Sequence, residues 1–252
     1  MTIDHPTPEQ LPQLRALWKQ AFGDGDTFLD GFFSAGFSPN RCRCITNSGR
    51  IAAALYWFEA EYRGLSLAYL YAIATDKDFQ NRGLCRRLME DTHALLTTLG
   101  FAGTILVPAE ESLFSFYASM GYREFSTLRE FTASASGPAA ALRPISPEEY
   151  ARLRRQQLPE DGVLQEGAAL AFLQTYAVFY AGSGLLLAAI RDGSSLFVPE
   201  LLGDPAQASG ILAALDAPEG TFRIPGQGKP FAMVRSLTST PLPSGYFGLA
   251  LD

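Results

Sequence analysis

Residues 67–100 read LAYLYAIAT, DKDFQNRG and LCRRLMEDTHALLTTLG, and this stretch decides how the chain folds. Residues 67–75 form a nearly continuous apolar run, which is short for a helix and typical of a strand buried on both faces. After the loop 76–83, leucines recur at helical spacing on one side and charged residues fill the other, namely Leu84, Leu88, Leu95 and Leu99 against Arg86, Arg87, Glu90 and Asp91. The pattern predicts a central strand that leads through a glycine-bearing loop into an amphipathic helix.

The loop between this strand and this helix has the features of an anion-binding site. Backbone N–H groups at a helix N-terminus are free, and the helix dipole is positive there. Arg82, Arg86 and Arg87 crowd that end of the helix, where the dipole disfavours cations, so a bound anion would explain them. The alternative is that Gly83 only makes a tight turn and the arginines form a solvated face.

The flanking sequence predicts further helices and strands in a mixed α/β order. Residues 7–22 begin with a capping-box pattern and continue at helical spacing, and a second helix is expected over 27–35. Residues 41–62 are typical of a hairpin. Residues 103–108 predict a strand, 112–121 a short helix containing Tyr117, and 123–132 two strands.

The segment IATDKDFQNRGLCRRLM, residues 73–89, resembles the acyl-coenzyme A signature of the GCN5-related N-acetyltransferase (GNAT) superfamily. That signature is Gln or Arg, two residues, Gly, one residue, then Gly or Ala. Gln80 and Gly83 match it, whereas Cys85 departs from it at the last position. Residues 112–125, SLFSFYASMGYREF, resemble the closing helix of the family with its tyrosine. The resemblance covers about residues 1–132.

The resemblance implies an α/β (mixed α+β) fold, with a mixed sheet that splays at the central strand and holds the pantetheine arm of acetyl-coenzyme A. Tyr117 would protonate the departing thiolate. The implied cofactor-binding residues are Ile73 and Thr75, through their backbone groups, and, around the pyrophosphate, Gln80, Asn81, Arg82, Gly83, Leu84, Cys85 and Arg86. Without the upstream motif, Tyr117 would be interpreted as a core aromatic residue.

The general base is less well defined by the sequence. An amine attacks a thioester only when it is deprotonated, so a base must lie near the acceptor, directly or through water. Glu59 and Glu61 are two apart on one predicted strand and share a face, where they are either candidate bases or a solvent-facing strip. Asp76 is a third candidate. Cys85 as a nucleophile is a weaker hypothesis, because it lies where the pyrophosphate is expected and direct attack needs no covalent intermediate.

The sequence predicts two domains. Residues 1–132 form the acetyl-coenzyme A-binding catalytic domain, 133–141 (ASASGPAAA) a linker, and 142–252 a second, smaller GNAT-like α/β domain, interpreted as a degenerate copy by resemblance to tandem acetyltransferases. The corresponding strand-to-helix junction in the second half is 200–204. It has no arginine, and Asp204 there would repel a pyrophosphate. We therefore expect this half to shape or cover the acceptor site.

Composition bounds the function. The net charge of −6 argues against nucleic acid and anionic membranes as partners. Three cysteines, no apolar stretch long enough for a membrane helix and no secretory leader predict a cytoplasmic protein without a metal site. The expected function is an acetyl-coenzyme A-dependent N-acetyltransferase that acts on a small-molecule or protein amine; a homodimer is left open. The alternatives are a non-catalytic acyl-coenzyme A-binding regulatory module and a scaffold without a ligand.

Overall fold

The computed structural model describes residues 1–251 and shows both parallel and antiparallel strand pairs flanked by helices, which confirms the predicted mixed α/β class. The α-helices are α1 Leu11–Phe22, α2 Asp26–Gly31, α3 Leu84–Thr98, α4 Glu111–Ala118, α5 Pro147–Gln157, α6 Ala168–Leu173 and α7 Ala208–Ala214. The strands are β1 Thr2–Asp4, β2 Cys42–Asn47, β3 Arg50–Tyr62, β4 Leu65–Thr75, β5 Gly103–Leu106, β6 Arg123–Ser134, β7 Leu142–Ile145, β8 Leu164–Gln165, β9 Val178–Gly182, β10 Leu185–Asp192, β11 Ser195–Leu202, β12 Glu219–Pro225 and β13 Lys229–Ser236. Within residues 1–251, no helix is both long and apolar enough to cross a bilayer.

The chain divides into two units. The N-terminal unit consists of Met1–Ala60, Gly64–Arg123 and the return segment Val234–Leu242, and the C-terminal unit contains Glu61–Arg63, Glu124–Met233 and the chain from Pro243 onward. This division falls before the boundary predicted at residue 132. Of the predicted linker 133–141, the first two residues belong to β6 and the others lie in no helix or strand. The roles assigned to the two domains stay predictions.

In the N-terminal unit the strands lie in the order β1-β2-β3-β4-β5, and the return segment lies beside β5. Strands β1, β2 and β3 are antiparallel, whereas β4 and β5 are parallel. Helix α1 packs on β4, and α3 packs on β2 and β4. Trp18 of α1 anchors an aromatic cluster, with its ring centroid 4.5 Å from that of Phe32 and 5.6 Å from that of Tyr71. The 67–75 run is thus a central strand, as predicted.

The sheet splays beside this central strand. Strand β4 pairs with β5 only through Leu67, Ala68 and Tyr69, although β4 continues to Thr75. Ala72 has a φ of +47°, a left-handed conformation that is rare for alanine and interrupts the regular extended backbone. In the described structure, the end of β4 therefore has main-chain groups on the β5 side that no β5 residue pairs with. The splay implied by the family resemblance is present.

The C-terminal unit has its own set of neighbouring strands and its own core. Its strands lie in the order β6-β12-β11-β10-β9-β7, and β11 and β12 are the parallel pair. Helix α7 buries Ile211 and Leu212 against Val198 and Phe222 of this sheet. The two strands predicted over 123–132 are wrong, because these residues form one continuous strand, β6, whose later part pairs along the whole of β12.

Candidate active site

Helix α3 begins without a capping side chain. Its N-cap residue, Gly83, has a φ of +71°, and no side chain accepts a hydrogen bond from the first turn. The first helical hydrogen bond runs from the N–H of Arg87 to the carbonyl of Gly83, at 3.1 Å. The N–H groups of Leu84, Cys85 and Arg86 therefore have no acceptor inside the helix. A Cβ atom added at Gly83 would meet no atom within 4 Å, so the space at this residue is open.

Helix α5 shows what a self-sufficient N-terminus looks like in the same chain. The hydroxyl of Ser146 accepts from the N–H of Glu149 at 3.2 Å, and Glu148 and Glu149 place negative charge on the positive end of the dipole. Helix α3 has no acidic residue in its first turn and carries arginines there instead. The contrast makes the start of α3 a candidate site for an external anion.

The loop that leads into α3 is held in one conformation. The carboxylate of Asp76, which is 7% exposed, accepts from the N–H of Asp78 at 2.9 Å and from the Arg50 guanidinium at 2.7 Å. The ring of Phe79 lies between two guanidinium groups, 5.2 Å from that of Arg50 and 5.4 Å from that of Arg82. This network orders the loop before any ligand arrives.

The same network argues against Asp76 as the general base. Burial raises the pKa of Asp76, but the hydrogen bonds from Arg50 and from the Asp78 amide outweigh it, so the pKa lies below its usual value. A carboxylate that is ionised, paired with an arginine and weakly basic is a poor acceptor for a proton from an amine.

The structure places the predicted loop residues in two different roles. Gln80, Asn81 and Arg82 are exposed, and Arg82 donates to the carbonyl of Asp78 at 2.9 Å. Arg86 instead turns towards the end of α4, where it donates to the carbonyl of Ser119 at 3.1 Å and to its hydroxyl at 2.8 Å. The guanidinium of Arg86 thus joins α3 to the end of α4, whereas that of Arg82 stays exposed and bonds only within its own loop.

Ile73 and Thr75 lie at the end of β4, beyond its pairing with β5, and their role in binding the cofactor stays a prediction. Both are partly exposed, and the carbonyl of Thr75 is 3.5 Å from the side-chain nitrogen of Gln80. Leu84 and Cys85 follow at the start of α3; the Leu84 side chain is buried, so only its backbone is available to a ligand. The splayed end of β4, at Thr75, is therefore joined to the start of α3, at Leu84, by a single short loop.

Tyr117 lies on α4 and is 8% exposed. Among residues 1–251, no partner accepts or donates a hydrogen bond at its hydroxyl. Burial, together with the nearby Cys85 thiol, raises the pKa of Tyr117 above 10, so the phenol remains protonated at physiological pH. A protonated, unpartnered hydroxyl close to Cys85 at the start of α3 makes Tyr117 a candidate proton donor.

Cys85 does not have the electrostatics of a nucleophile. Burial raises the pKa of its thiol to about 11, and the opposing effect of Arg86 is smaller. The reactive form of cysteine is the thiolate, which is scarce at neutral pH in this environment. The structure therefore argues against a covalent intermediate on Cys85.

Glu59 and Glu61 are both exposed on β3 and alternate with the buried side chains of Ala60 and Tyr62. They share a face, as their spacing predicts. The division into units assigns Glu59 to the N-terminal unit and Glu61 to the C-terminal unit. Their exposure matches the solvent-facing alternative, and a role as general base stays a prediction.

Sequence reasoning missed a group of buried polar residues behind Tyr117. His93 on α3 is hydrogen-bonded to the hydroxyl of Tyr122, and Arg235 of the return segment reaches the other ring nitrogen. Arg50, which anchors the loop 76–83, was missed as well. None of them belongs to a motif, because each is defined only by a partner that is distant in the sequence.

The corresponding junction of the C-terminal unit is closed. The carboxylate of Asp204 accepts from the N–H of Ala206 at 2.9 Å, so the protein itself occupies that helix start. Glu200 is fully buried and accepts from Arg154 at 2.6 Å and from Tyr150 at 2.9 Å. Both carboxylates bind groups of the protein itself. Asp204, the residue predicted to repel a pyrophosphate, occupies the helix start that a ligand would need.

Comparison with known proteins places this geometry in a family. The acetyltransferase (GNAT) domain pattern matches residues 2–125. The N-terminal part of the chain, residues 2–125, is a GCN5-related N-acetyltransferase (GNAT) domain. The resemblance in residues 73–89 is confirmed, and the GNAT fold assigns the chain broadly to the acyltransferases. No curated protein sequence matches the chain significantly.

Solved structures agree with the GNAT fold over nearly the whole chain. A GCN5-related N-acetyltransferase from Kribbella flavida has a TM-score of 0.70 at 14% identity, covering 94% of this chain and 72% of that one. Another from Anabaena variabilis has a TM-score of 0.71 at 13% identity, with 94% and 73% covered. A putative acetyltransferase from Pyrococcus horikoshii has a TM-score of 0.65 at 12% identity, with 93% and 89% covered. At such identities the likeness concerns the fold.

Proposed function

We propose that the protein transfers an acetyl group from acetyl-coenzyme A to an amine by direct attack. One observation carries the proposal: the uncapped start of α3 has the unpartnered hydroxyl of the largely buried Tyr117 beside it in the same unit. The first feature would bind the pyrophosphate of the donor and the second would serve its sulfur. A GNAT domain over residues 2–125 agrees with this chemistry.

The residues present fit the donor. The free N–H groups at the start of α3 would hold the pyrophosphate, with charge from Arg82, and the open space at Gly83 would let the phosphates approach. The pantetheine arm would lie along the end of β4, where Ile73 and Thr75 have main-chain groups free of β5. Because Arg86 is bonded to Ser119, we assign it to holding α4 and not to the phosphates.

In the proposed transfer, each bond and each proton can be assigned to the substrates, to Tyr117 and the splayed strand, or to solvent. The nitrogen lone pair forms a bond to the thioester carbon and gives a tetrahedral intermediate, whose oxyanion an unpaired N–H of the splayed strand would stabilise. Its collapse breaks the C–S bond, and Tyr117 gives its proton to the thiolate, whose conjugate acid has a pKa of about 8.5. The amine proton leaves to a base or to water, and solvent reprotonates Tyr117.

The acceptor is an amine, either a small molecule or a protein amine, and the net charge of −6 favours a cationic one. We also propose a cytoplasmic location and no nucleic-acid or membrane partner, and a homodimer is left open. We further propose that residues 142–252 are a degenerate GNAT copy. A non-catalytic acyl-coenzyme A-binding module is the competing function.

The test is the release of coenzyme A from acetyl-coenzyme A in the presence of a broad panel of amines. We expect turnover with at least one amine, and calorimetric binding of acetyl-coenzyme A that Gly83→Asp weakens by about tenfold or more. Binding without turnover on any amine would favour the regulatory module. Absence of binding would remove the anion-site argument altogether.

A further inference from the structure

A buried chain of polar groups lies behind Tyr117 and is not used by the proposed donor site. His93, which is 4% exposed, has Nε2 2.8 Å from the hydroxyl oxygen of Tyr122, and that oxygen is 2.7 Å from the hydroxyl of Thr104. Nδ1 of His93 is 3.1 Å from Nη1 of Arg235. The ring of Tyr122 contacts that of Tyr117, with centroids 5.8 Å apart. We call these bonded groups the His93 chain.

Arg235 gives the His93 chain a fixed direction. A guanidinium can only donate, so Nδ1 of His93 must accept and carries no hydrogen. Burial, and then the charge of Arg235, lower the pKa of His93 to about 3, so the ring is neutral and its hydrogen is on Nε2. That N–H donates to Tyr122, whose own hydroxyl hydrogen is left for Thr104. One residue therefore sets the tautomer and every donor in the chain.

The same nitrogen of Arg235 also holds the turn that follows α4. Nη1 donates to the carbonyl of Met120 at 2.8 Å, beside the carbonyl of Ser119 that Arg86 holds. Helix α4 has no basic residue in its last turn, and the negative end of its dipole attracts cations. The carbonyl of Tyr117 accepts from the N–H groups of Met120 at 2.9 Å and Tyr122 at 3.2 Å. The segment that Arg235 holds is thus bonded directly to the backbone of Tyr117.

We propose that Arg235 is a positioning residue for Tyr117, which fixes both the turn after α4 and the ring packed against the tyrosine. The proposal rests on the proposed transfer function. Arg235 lies outside residues 2–125 and within the return segment Val234–Leu242, so the N-terminal unit would need a piece of chain from beyond the GNAT-matched region for full activity. Arg235 touches no reacting atom; it acts through the placement of the Tyr117 hydroxyl.

The test compares Arg235→Met, Arg235→Lys and a matched control. Small displacements of a catalytic group can cost about 10²-fold, so we expect Arg235→Met to lower kcat by about 10- to 100-fold without changing the affinity for coenzyme A. Arg235→Lys keeps a charged group with enough donors for His93 and the carbonyl of Met120, and should restore kcat to within about threefold of the native value. The control is Arg43→Gln. It removes a buried arginine of β2 that pairs at 2.6 Å with Asp91, which lies on α3 as His93 does, and it should leave kcat unchanged.

A second readout is nitrogen-15 NMR of the imidazole rings, which is simple because the chain has two histidines. The native protein should show His93 as the Nε2–H tautomer, and His5→Gln assigns the signals. Arg235→Met should lose the fixed tautomer together with kcat. If that variant does not fold, Arg235→Gln, which is neutral and shorter, takes its place with the same expected losses.

The outcomes separate this proposal from the function on which it rests. A folded variant that loses the His93 tautomer but keeps native kcat overturns the role of Arg235 and leaves the transferase intact. Native protein that releases no coenzyme A with any amine overturns the transferase, and the positioning role falls with it. A parallel loss of tautomer and kcat, with coenzyme A affinity preserved, supports both.

Discussion

Replacing Tyr117 with phenylalanine removes one oxygen atom and keeps the ring, its packing and the helix. The hydroxyl has no hydrogen-bond partner within residues 1–251, so its loss should change the free energy of unfolding by less than about 1 kcal/mol. Positioned acids contribute about 10²–10⁴-fold to catalysis, so kcat should fall by that range while coenzyme A affinity holds. Because the pKa of Tyr117 is raised above 10, the native enzyme should show no alkaline loss of activity from this group below about pH 10.

The assay is steady-state release of coenzyme A with the best amine of the panel, alongside thermal unfolding of each variant. Tyr122→Phe is the stability control, because that hydroxyl bonds both His93 and Thr104 and its loss leaves buried groups unpaired, at a cost of about 1–3 kcal/mol. Native kcat in Tyr117→Phe, on whatever amine is found, would refute the acid role. A large stability loss in that variant would show that the hydroxyl is structural after all.

Three further predictions concern the donor site and the buried histidine. Gly83→Asp should abolish most coenzyme A binding in calorimetry. Gly83→Ala shares the strain at a φ of +71° but adds no charge, so it should bind coenzyme A within about tenfold of the native affinity. Equal affinities of the two variants for coenzyme A would contradict the anion site. Arg82→Ala should weaken binding more at low salt than at high salt, because the exposed guanidinium acts through screened charge, and a salt-independent loss would count against it. The pKa of His93 is about 3 in the folded protein and 6.5 in its unperturbed state. Between these pH values the unfolded chain binds more protons than the folded one, so the free energy of unfolding decreases as the pH falls. The decrease should be about 2 kcal/mol from pH 7 to pH 5. Thermal unfolding at both pH values should show a smaller drop for His93→Gln, and an identical drop would refute the assignment.

Short-range patterns in the sequence determined the elements around the donor site. The nearly continuous apolar run 67–75 is typical of a buried strand, and the loop with Gly83 before a leucine stripe is typical of a helix start. Strand, loop and helix therefore followed from local chemistry. The same segment carried the family resemblance. Tyr117 was found because its helix follows the next strand at the expected place. Where the pattern was ambiguous it failed, since alternation over 123–134 is equally compatible with one long strand or two short ones.

Tertiary structure alone decided which of the polar side chains remain available for chemistry. Arg86 and Arg82 look alike in the sequence, but only Arg86 meets the end of α4, and only contact with Arg50 turns Asp76 from a candidate base into a structural ion pair. Arg235 is separated from Met120 by most of the C-terminal unit, and no local pattern encodes their contact. Secondary structure follows from periodicities within a few residues, whereas hydrogen-bond partners, burial and pKa values depend on groups that only the folded chain brings together.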